Sequence, residues 1–469
     1  MSTRTFFING REYAVEESDA DFPDVSKLPL PEHYAKQLRW QEWIMSRPEK
    51  AREQSVVTGG WVTWENGHRS NLTNNFTFQL AVGTDLMELR RRFDVLRTIR
   101  LPFAEPIYLG TLPASWSGDD HPEIRIRRMI ESRLVVFAEP EFIDFVSPWH
   151  FAPSAKEVPK DEREYMQRWQ WGPDGLNVAA VSAKRSGLGQ TVGVIDLAFQ
   201  TDHEDLHEGI ADSYRVVGDE ESRAGVWGYY HPWEHGTFCA GLVAARRNGP
   251  GVVGVAPNAR LVLVGLDMLS QPRLAWALKL CLQSQVQVIS CSLKPCTSED
   301  SGAGSCQDWM AVGTVLEKAL GEVAQARSGK GVCLFWATND AGTDVANDPI
   351  ARREEIFAIG CLDQEHSHAG ATGEKVYLAP GHNLRSTVAR PGGGTYETHE
   401  GRHTSYATPC AAGVAALLLE QDSTRSVAEI HRILRSSCRK VEGSNSRGAI
   451  DAAIALKGSA SAFLDPTGQ

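Results

Sequence analysis

His403-Thr404-Ser405-Tyr406-Ala407-Thr408-Pro409 runs directly into a stretch of small and apolar residues, Cys410 to Leu419. A serine in the first turn of a buried helix lies beside backbone N–H groups without an intrahelical partner and near the positive end of the helix dipole. Such groups stabilise an oxyanion, so Ser405 is a candidate nucleophile; a serine that merely caps a core helix has the same local pattern. Acyl transfer also needs a base, a carboxylate to orient that base, and a further oxyanion donor. Asp196 directly follows the apolar run Thr191-Val192-Gly193-Val194-Ile195, and His235 opens the small-residue stretch His235-Gly236-Thr237-Phe238-Cys239-Ala240-Gly241. Asn339 ends another run, Trp336-Ala337-Thr338-Asn339-Asp340. Singly, the Asp and the Asn read as turn residues and the His as structural. Together they supply every part that the serine needs.

Those four residues must be brought together by the elements between them. Short apolar runs stand at 191–195, 261–266, 286–291, 331–337 and 357–361, and helical patterns at 235–245, 273–283 and 309–326. Near-continuous apolar strands separated by helices predict a mostly parallel sheet covered on both faces, with chemistry at the carboxyl ends of its strands. Upstream, 76–82, 106–112 and 133–137 read as strands and 84–96 and 121–132 as helices, a small α+β unit. The resulting division is an N-terminal extension at 1–60, the α+β unit at 61–150, a Pro- and charge-rich linker at 151–164, the α/β domain at 165–457 and a tail at 458–469. Within the extension, Tyr34 to Met45 has amphipathic spacing.

With 469 residues, a net charge of −11 and 42% hydrophobic residues, the chain has the composition of a soluble globular protein. That charge argues against nucleic acid as a partner, and no apolar run reaches the roughly 18 residues of a membrane span. No signal-peptide pattern precedes Glu16, and nine cysteines without framework spacing, all at or after Cys239, fit a reduced, cytoplasmic protein. Cys296 and Cys306 flank a Gly/Ser-rich loop, where a bridge or a metal is an alternative to simple packing.

The order Asp196, His235, Ser405, with Asn339, resembles the subtilisin/kexin superfamily of serine proteases, whose triad has this chain order. The likeness extends to Gly193-Val194-Ile195-Asp196, His203-Glu204-Asp205-Leu206, Gly254-Val255-Ala256-Pro257, Val288-Ile289-Ser290-Cys291-Ser292-Leu293, Ala379-Pro380-Gly381 and Thr404-Ser405-Tyr406-Ala407-Thr408-Pro409, about residues 165 to 457. It implies a subtilisin-like α/β fold and a serine endopeptidase acting on a protein or peptide substrate. It implies Ser405 as nucleophile, His235 as base, Asp196 as its orienting acid, Asn339 as oxyanion donor, and a substrate groove along Ser292 and Leu293. Val135 to Phe142 is similar to the last strand of the family's inhibitory propeptide, which makes the α+β unit propeptide-like; a permanent accessory domain is the alternative. No cofactor is implied as required. Structural calcium occurs in the family, but its loops are not identifiable here. Restraint of activity in a cytoplasmic enzyme would come from narrow specificity, the N-terminal unit, or an activating or inhibitory protein partner. Leu197 stands where kexin-type enzymes carry an Asp, so dibasic preference is not implied.

Four positions depart from the family pattern: Ala198, Lys294, Asp340 and His403 stand where glycine is usual. They motivate a second reading, a degraded peptide-binding or regulatory module on the same fold. A third, a zinc peptidase, rests on His203-Glu204-Asp205-Leu206-His207, which spells H-E-x-x-H in a polar context that does not suit a buried helix. Gly249 to Gly254 spells G-x-G-x-x-G but precedes a strand, so it reads as a turn. The sequons at Asn71 and Asn75 carry little weight without a secretion signal.

Overall fold

The computed structural model describes residues 2–18, 58–66, 69–116, 118–144, 168–217, 220–223, 234–249, 251–266, 268–294, 309–340, 342–389 and 395–461. The 151–164 linker, the Tyr34–Met45 stretch, Cys296, Cys306 and the end of the tail lie outside them.

The N-terminal unit begins with a hairpin, β1 (Ser2–Ile8) and β2 (Arg11–Ser18). Asn9 and Gly10 turn it with φ of 48° and 72°, the left-handed pair that a two-residue hairpin requires. Next come β3 (Thr58–Trp64), β4 (Arg69–Leu80), α1 (Leu86–Phe93), β5 (Arg97–Arg100), β6 (Ile107–Thr111), α2 (Pro122–Glu131) and β7 (Val135–Ile143). The strands form one antiparallel sheet in the order β1-β2-β3-β4-β6-β5, with β7 also pairing β4. The sheet therefore runs through residue 60, where the sequence pattern places a boundary, because β1 and β2 join it through β3. Phe76, Phe78, Leu89 and Met129 make its core, while Phe6, Ile8, Val62 and Trp64 make a second cluster around the hairpin. Asn71 and Asn75 are buried in β4, and the Asn75 amide donates to Glu141, so neither sequon faces solvent.

The larger domain carries β8 (Thr191–Asp196), β9 (Ile210–Val217), β10 (Glu220–Arg223), α3 (Glu234–Ala244), β11 (Arg260–Leu266), α4 (Gln271–Gln283), β12 (Val288–Cys291), α5 (Thr314–Gly329) and β13 (Cys333–Ala337). It continues with β14 (Ile356–Leu362), β15 (His368–Ala369), β16 (Tyr377–Pro380), β17 (His382–Val388), β18 (Thr395–Arg402), α6 (Thr404–Gln421), α7 (Val427–Ser437), β19 (Gly448–Ala449) and α8 (Ala452–Ser461). The main sheet has the order β10-β9-β11-β8-β12-β13-β14-β16-β19 and is parallel from β9 to β19; β10 and β15 add antiparallel pairs. This is the mostly parallel, helix-covered sheet that the apolar runs predict. Val192 and Val194 face one core with Phe238 of α3 and Leu417 of α6, while Val262 and Val264 face the other with Leu278 of α4 and Leu316 of α5. Both faces are buried, which is why the strands read as continuous apolar runs rather than alternating ones. β8 has β11 on one side and β12 on the other, so the chain reverses its direction of build at the carboxyl end of β8, the usual place for a site in an open α/β sheet.

Acidic residues of β7 join the two units. Glu141 accepts from Ser270 Oγ at 2.7 Å and Arg273 Nε at 3.1 Å, at the start of α4. Glu139 accepts the Thr314 N–H at 2.8 Å, at the start of α5, and the Asn9 N–H from the hairpin at 2.7 Å. Just beyond β7, Asp144 accepts Trp309 Nε1–H at 2.7 Å. Carboxylates set against helix N-termini gain both a hydrogen bond and the favourable end of the dipole. Burial nevertheless pushes the Glu139 carboxyl upward, against the pull of its hydrogen bonds.

Candidate active site

Asp196 is the last residue of β8 and has no solvent exposure. Its Oδ1 accepts the Leu197 N–H at 2.8 Å, and its Oδ2 lies 2.8 Å from Nδ1 of His235 in the first turn of α3. With Nδ1 protonated toward the carboxylate, Nε2 is the basic nitrogen. Burial alone would lower the imidazole, but the Asp196 charge and hydrogen bond outweigh it and hold His235 well above the ordinary histidine range. Gly236 is required here: a Cβ on it would stand 2.1 Å from the Ala198 carbonyl. That close approach locks the start of α3 against the segment after β8.

Ser405 is the second residue of α6 and is nearly buried. Its neighbour Tyr406 stacks obliquely on the His235 ring, with centroids 5.4 Å apart, which sets α6 against α3 beside the Asp196–His235 pair. Ser405 Oγ makes no hydrogen bond among the described residues, so its hydroxyl is open to an incoming group. Pro409 explains the proline four residues on. A residue there would normally donate its N–H to the carbonyl of Ser405, and proline has none. That carbonyl instead accepts from Ser292 Oγ at 2.8 Å and from the Cys239 thiol at 3.5 Å. The Ser292 hydroxyl is thus engaged in holding the serine's own backbone, and the Leu293 side chain is buried in the core. Cys239, 3.9 Å from His235 Nδ1, completes a buried Asp–His–Cys cluster beneath the serine that sequence reasoning passed over as core packing. Its position four residues after His235, on the same helical face, was the available signal.

The start of α6 leaves one donor open. Thr404 N–H goes to Asp340 Oδ1 at 2.8 Å, and the N–H groups of Tyr406 and Ala407 reach the His403 carbonyl at 3.3 Å. The Ser405 N–H alone among these four has no acceptor within the described residues. Asn339 lies in the same corner, because Thr404 Oγ1 donates to the Thr338 carbonyl at 2.5 Å and Asp340 holds the Thr404 N–H. The chain thus pins both neighbours of Asn339 to the residue that precedes Ser405.

The four glycine departures do not strain the site. Ala198, Lys294, Asp340 and His403 are all absent from the residues with positive φ, so their backbones need no glycine. Ala198 is buried, Lys294 pairs with Asp348 over the Trp336 ring, and Asp340 caps α6. His403 is extended, with φ −135° and ψ 125°. The H-E-x-x-H segment does not form a helix: His203 binds the Thr395 carbonyl and the Asp205 N–H, and His207 lies in a short 3-10 turn.

Comparison with known proteins agrees with this geometry. The model of the subtilase family (peptidase S8) matches residues 187–450, more than half of the chain. Subtilisin E of Bacillus subtilis (strain 168) is 30% identical over 298 residues, 61% of this chain and 70% of that protein. The thermophilic serine proteinase of Bacillus sp. (strain AK1) is 28% identical over 335 residues, 68% of this chain and 72% of that one. The crystal structure of fervidolysin from Fervidobacterium pennivorans, a keratinolytic enzyme related to subtilisin, superposes with a TM-score of 0.63 at 18% identity. That match covers 83% of this chain, which spans 61% of fervidolysin's length, and it shows a shared fold. The chain belongs to the subtilase family. It is a subtilisin-like serine peptidase.

Proposed function

We propose that this peptidase is an endopeptidase working through a Ser405 acyl-enzyme, and that its N-terminal unit restrains it as a propeptide does. The observation that carries the first part is the buried Asp196–His235 pair facing a helix whose Ser405 N–H has no acceptor among the described residues. In this reading His235 Nε2 takes the proton of Ser405 Oγ as that oxygen attacks the scissile carbonyl, and then gives it to the leaving amine. Asp196 holds the ring and stabilises the imidazolium. The Ser405 N–H and the Asn339 side chain receive the oxyanion. Ser292 and Leu293 contribute to the substrate groove through their main chain, since their side chains are otherwise engaged. The substrate is a protein or peptide, and restricted specificity fits a restrained enzyme.

The second part is supported by the row of carboxylates from β7 and its end, which binds the starts of α4 and α5 and the segment between them. A reducing, cytoplasmic setting suits the seven described cysteines, all free thiols. No helix among the described residues is long and apolar enough to cross a membrane.

The test is incubation of the full-length chain beside Ser405→Ala, with N-terminal mapping of fragments and labelling by a fluorophosphonate. The reading expects labelling at Ser405, peptide hydrolysis lost in Ser405→Ala, and slow casein digestion until the N-terminal unit is removed. Equal hydrolysis by Ser405→Ala overturns the mechanism; broad, immediate casein digestion by the intact chain overturns the restraint.

A further inference from the structure

Residues 309–313, which lead into α5, are held in place by the peptidase domain itself. Gln271, at the start of α4, spans them: its Nε2 donates to the Ala311 carbonyl at 2.8 Å, and its Oε1 accepts the Gly313 N–H at 2.6 Å. Gly313 is the N-cap residue of α5 and has no side chain to offer. The cap arrives from the N-terminal unit, where Glu139 accepts both the N–H and the hydroxyl of Thr314. A Cβ on Gly313 would stand 3.0 Å from that carboxylate, so glycine leaves it room to approach.

The N-terminal hairpin closes on this segment. Asn9, in its turn, donates its N–H at 2.7 Å to Oε1 of the same Glu139 that caps α5. Phe6 and Ile8 of β1 are buried, although β1 is an edge of its sheet. Their cover comes from Phe142, whose ring meets Phe6 edge to face at 5.3 Å, and from Met310 and Ala311 of the peptidase domain, which pack against the cluster of Phe6, Ile8, Val62 and Trp64. The gap left among Ile8, Trp64, Met310 and Gly313 is about 40 Å³, room for a few waters at most. Trp64 and Trp309, one from each unit, are tied to the two oxygens of Asp144, Trp309 directly and Trp64 through the Ser70 hydroxyl. The fit is therefore apolar at its centre, with a carboxylate on either side.

Resting on the restraint proposed above, we infer that residues 309–314 with Gln271 are a docking site for the hairpin, and that the hairpin is a second clamp of that restraint. The first clamp is Glu141 on Ser270 and Arg273 at α4. The N-terminal unit leaves the peptidase domain only when both have let go. Two linked contacts open together far more rarely than either opens alone, because the one still closed holds the other at high local concentration. A two-stranded hairpin has little stability by itself, so the apolar seat on the peptidase domain also keeps β1 and β2 in place. The hairpin thereby sets how long the restraint lasts.

The experiment compares the full chain with Met310→Asp, which lies outside the hairpin, so that any change within the hairpin reports docking. Two rates are read: hydrogen exchange of the amides of β1 and β2, and labelling of Ser405 by a fluorophosphonate. The inference expects exchange in the hairpin about tenfold faster or more, with β4 and β6 as protected as in the parent, and labelling about fivefold faster or more. Ile8→Asp, on the hairpin side, should repeat the gain in labelling and serves if Met310→Asp does not fold. Unchanged hairpin exchange in Met310→Asp overturns the docking site. Faster exchange with no gain in labelling overturns the clamp and leaves the restraint standing. A parent labelled as soon as it is mixed overturns the restraint, and the clamp with it, while the exchange measurement still decides whether the hairpin is seated.

Discussion

The hydroxyl of Ser292 donates to the carbonyl of Ser405 at 2.8 Å, and that carbonyl is open to it because Pro409 has no N–H to offer. Ser292 and Pro409 thus divide one task at the Ser405 carbonyl. Ser292→Ala should leave a buried carbonyl with only the weak Cys239 thiol donor, costing about 1–3 kcal/mol of stability and lowering kcat more than KM. Pro409→Ala in that background restores a helical N–H and should recover part of both losses. Thermal unfolding and steady-state kinetics of the single and double variants check this; a Ser292→Ala enzyme indistinguishable from the parent would refute it.

Glu141 and Arg273 form a second, structural relationship, buried between the N-terminal unit and α4. Removing one partner leaves an unpaired buried charge, which is typically worth about 3–5 kcal/mol, whereas replacing both with apolar residues is often nearly neutral. Arg273→Met should therefore destabilise the full chain strongly, and Glu141→Leu/Arg273→Met should recover much of the loss. Chemical denaturation of the three chains tests the claim, which fails if the double variant is the least stable.

The pairing of Asp196 with His235 sets a pH dependence. In the proposed mechanism His235 must be neutral to accept a proton from Ser405, and Asp196 raises the imidazole's affinity for protons. The acid limb of kcat/KM should therefore lie above the roughly 6.5 of a free imidazole. Asp196→Asn should shift that limb to lower pH and lower kcat on the order of 10⁴-fold. The same pair stabilises the fold at pH below the ordinary histidine value, and the contribution fades as pH rises through the raised one. Rate profiles for the two enzymes settle the sign; an unmoved acid limb in Asp196→Asn would contradict it.

Much of this site was legible in the chain because its parts lie at the ends of regular elements. Asp196 and Asn339 follow apolar runs, and His235 and Ser405 open small-residue helices, so local pattern and chemistry coincide. The parallel sheet was legible for the same reason. What local pattern could not carry was tertiary. That Ser292 holds the Ser405 backbone, or that Asp340 caps a helix 64 residues later, depends on how β12 and β13 flank α6. One local signal was passed over. Ile8-Asn9-Gly10-Arg11 between alternating residues is a hairpin, and its strands extend the sheet of the N-terminal unit to seven. The resemblance also suggested trouble at four missing glycines, whereas the backbone needs glycine at none of them.

Gly236 shows where glycine is needed. A methyl group there would meet the Ala198 carbonyl at 2.1 Å and the Asp196 Cβ at 3.0 Å. Neither can yield without moving the end of β8 away from His235. Gly236→Ala should thus cost about 1–3 kcal/mol in overpacking and reduce kcat by more than tenfold through displacement of the Asp196–His235 pair. A folded Gly236→Ala enzyme with parental kcat would show that the approach is softer than its distances imply.

Asp205 gives the last test, and its sign is opposite to that of most acidic residues. It is fully buried; Oδ2 accepts the Val252 N–H at 3.2 Å, while Oδ1 has no hydrogen-bond partner among the described residues. Burial pushes its carboxyl up to about 6, against the smaller lowering by the Val252 N–H and by the Tyr396 and Asn248 side chains. A carboxyl near 3.9 when unfolded and about 6 when folded binds more protons in the native state between those values. Stability from this group is therefore present below about pH 4 and is lost as pH rises toward 6. Asp205→Asn keeps an acceptor for Val252 and has no charge to desolvate. It should raise the melting temperature by a few degrees at pH 8 and change it little at pH 4, measured in chelator so that no cation contributes. Equal melting temperatures at pH 8, or a variant that gains at pH 4 instead, would mean that the buried carboxylate is stabilised by something other than the contacts described.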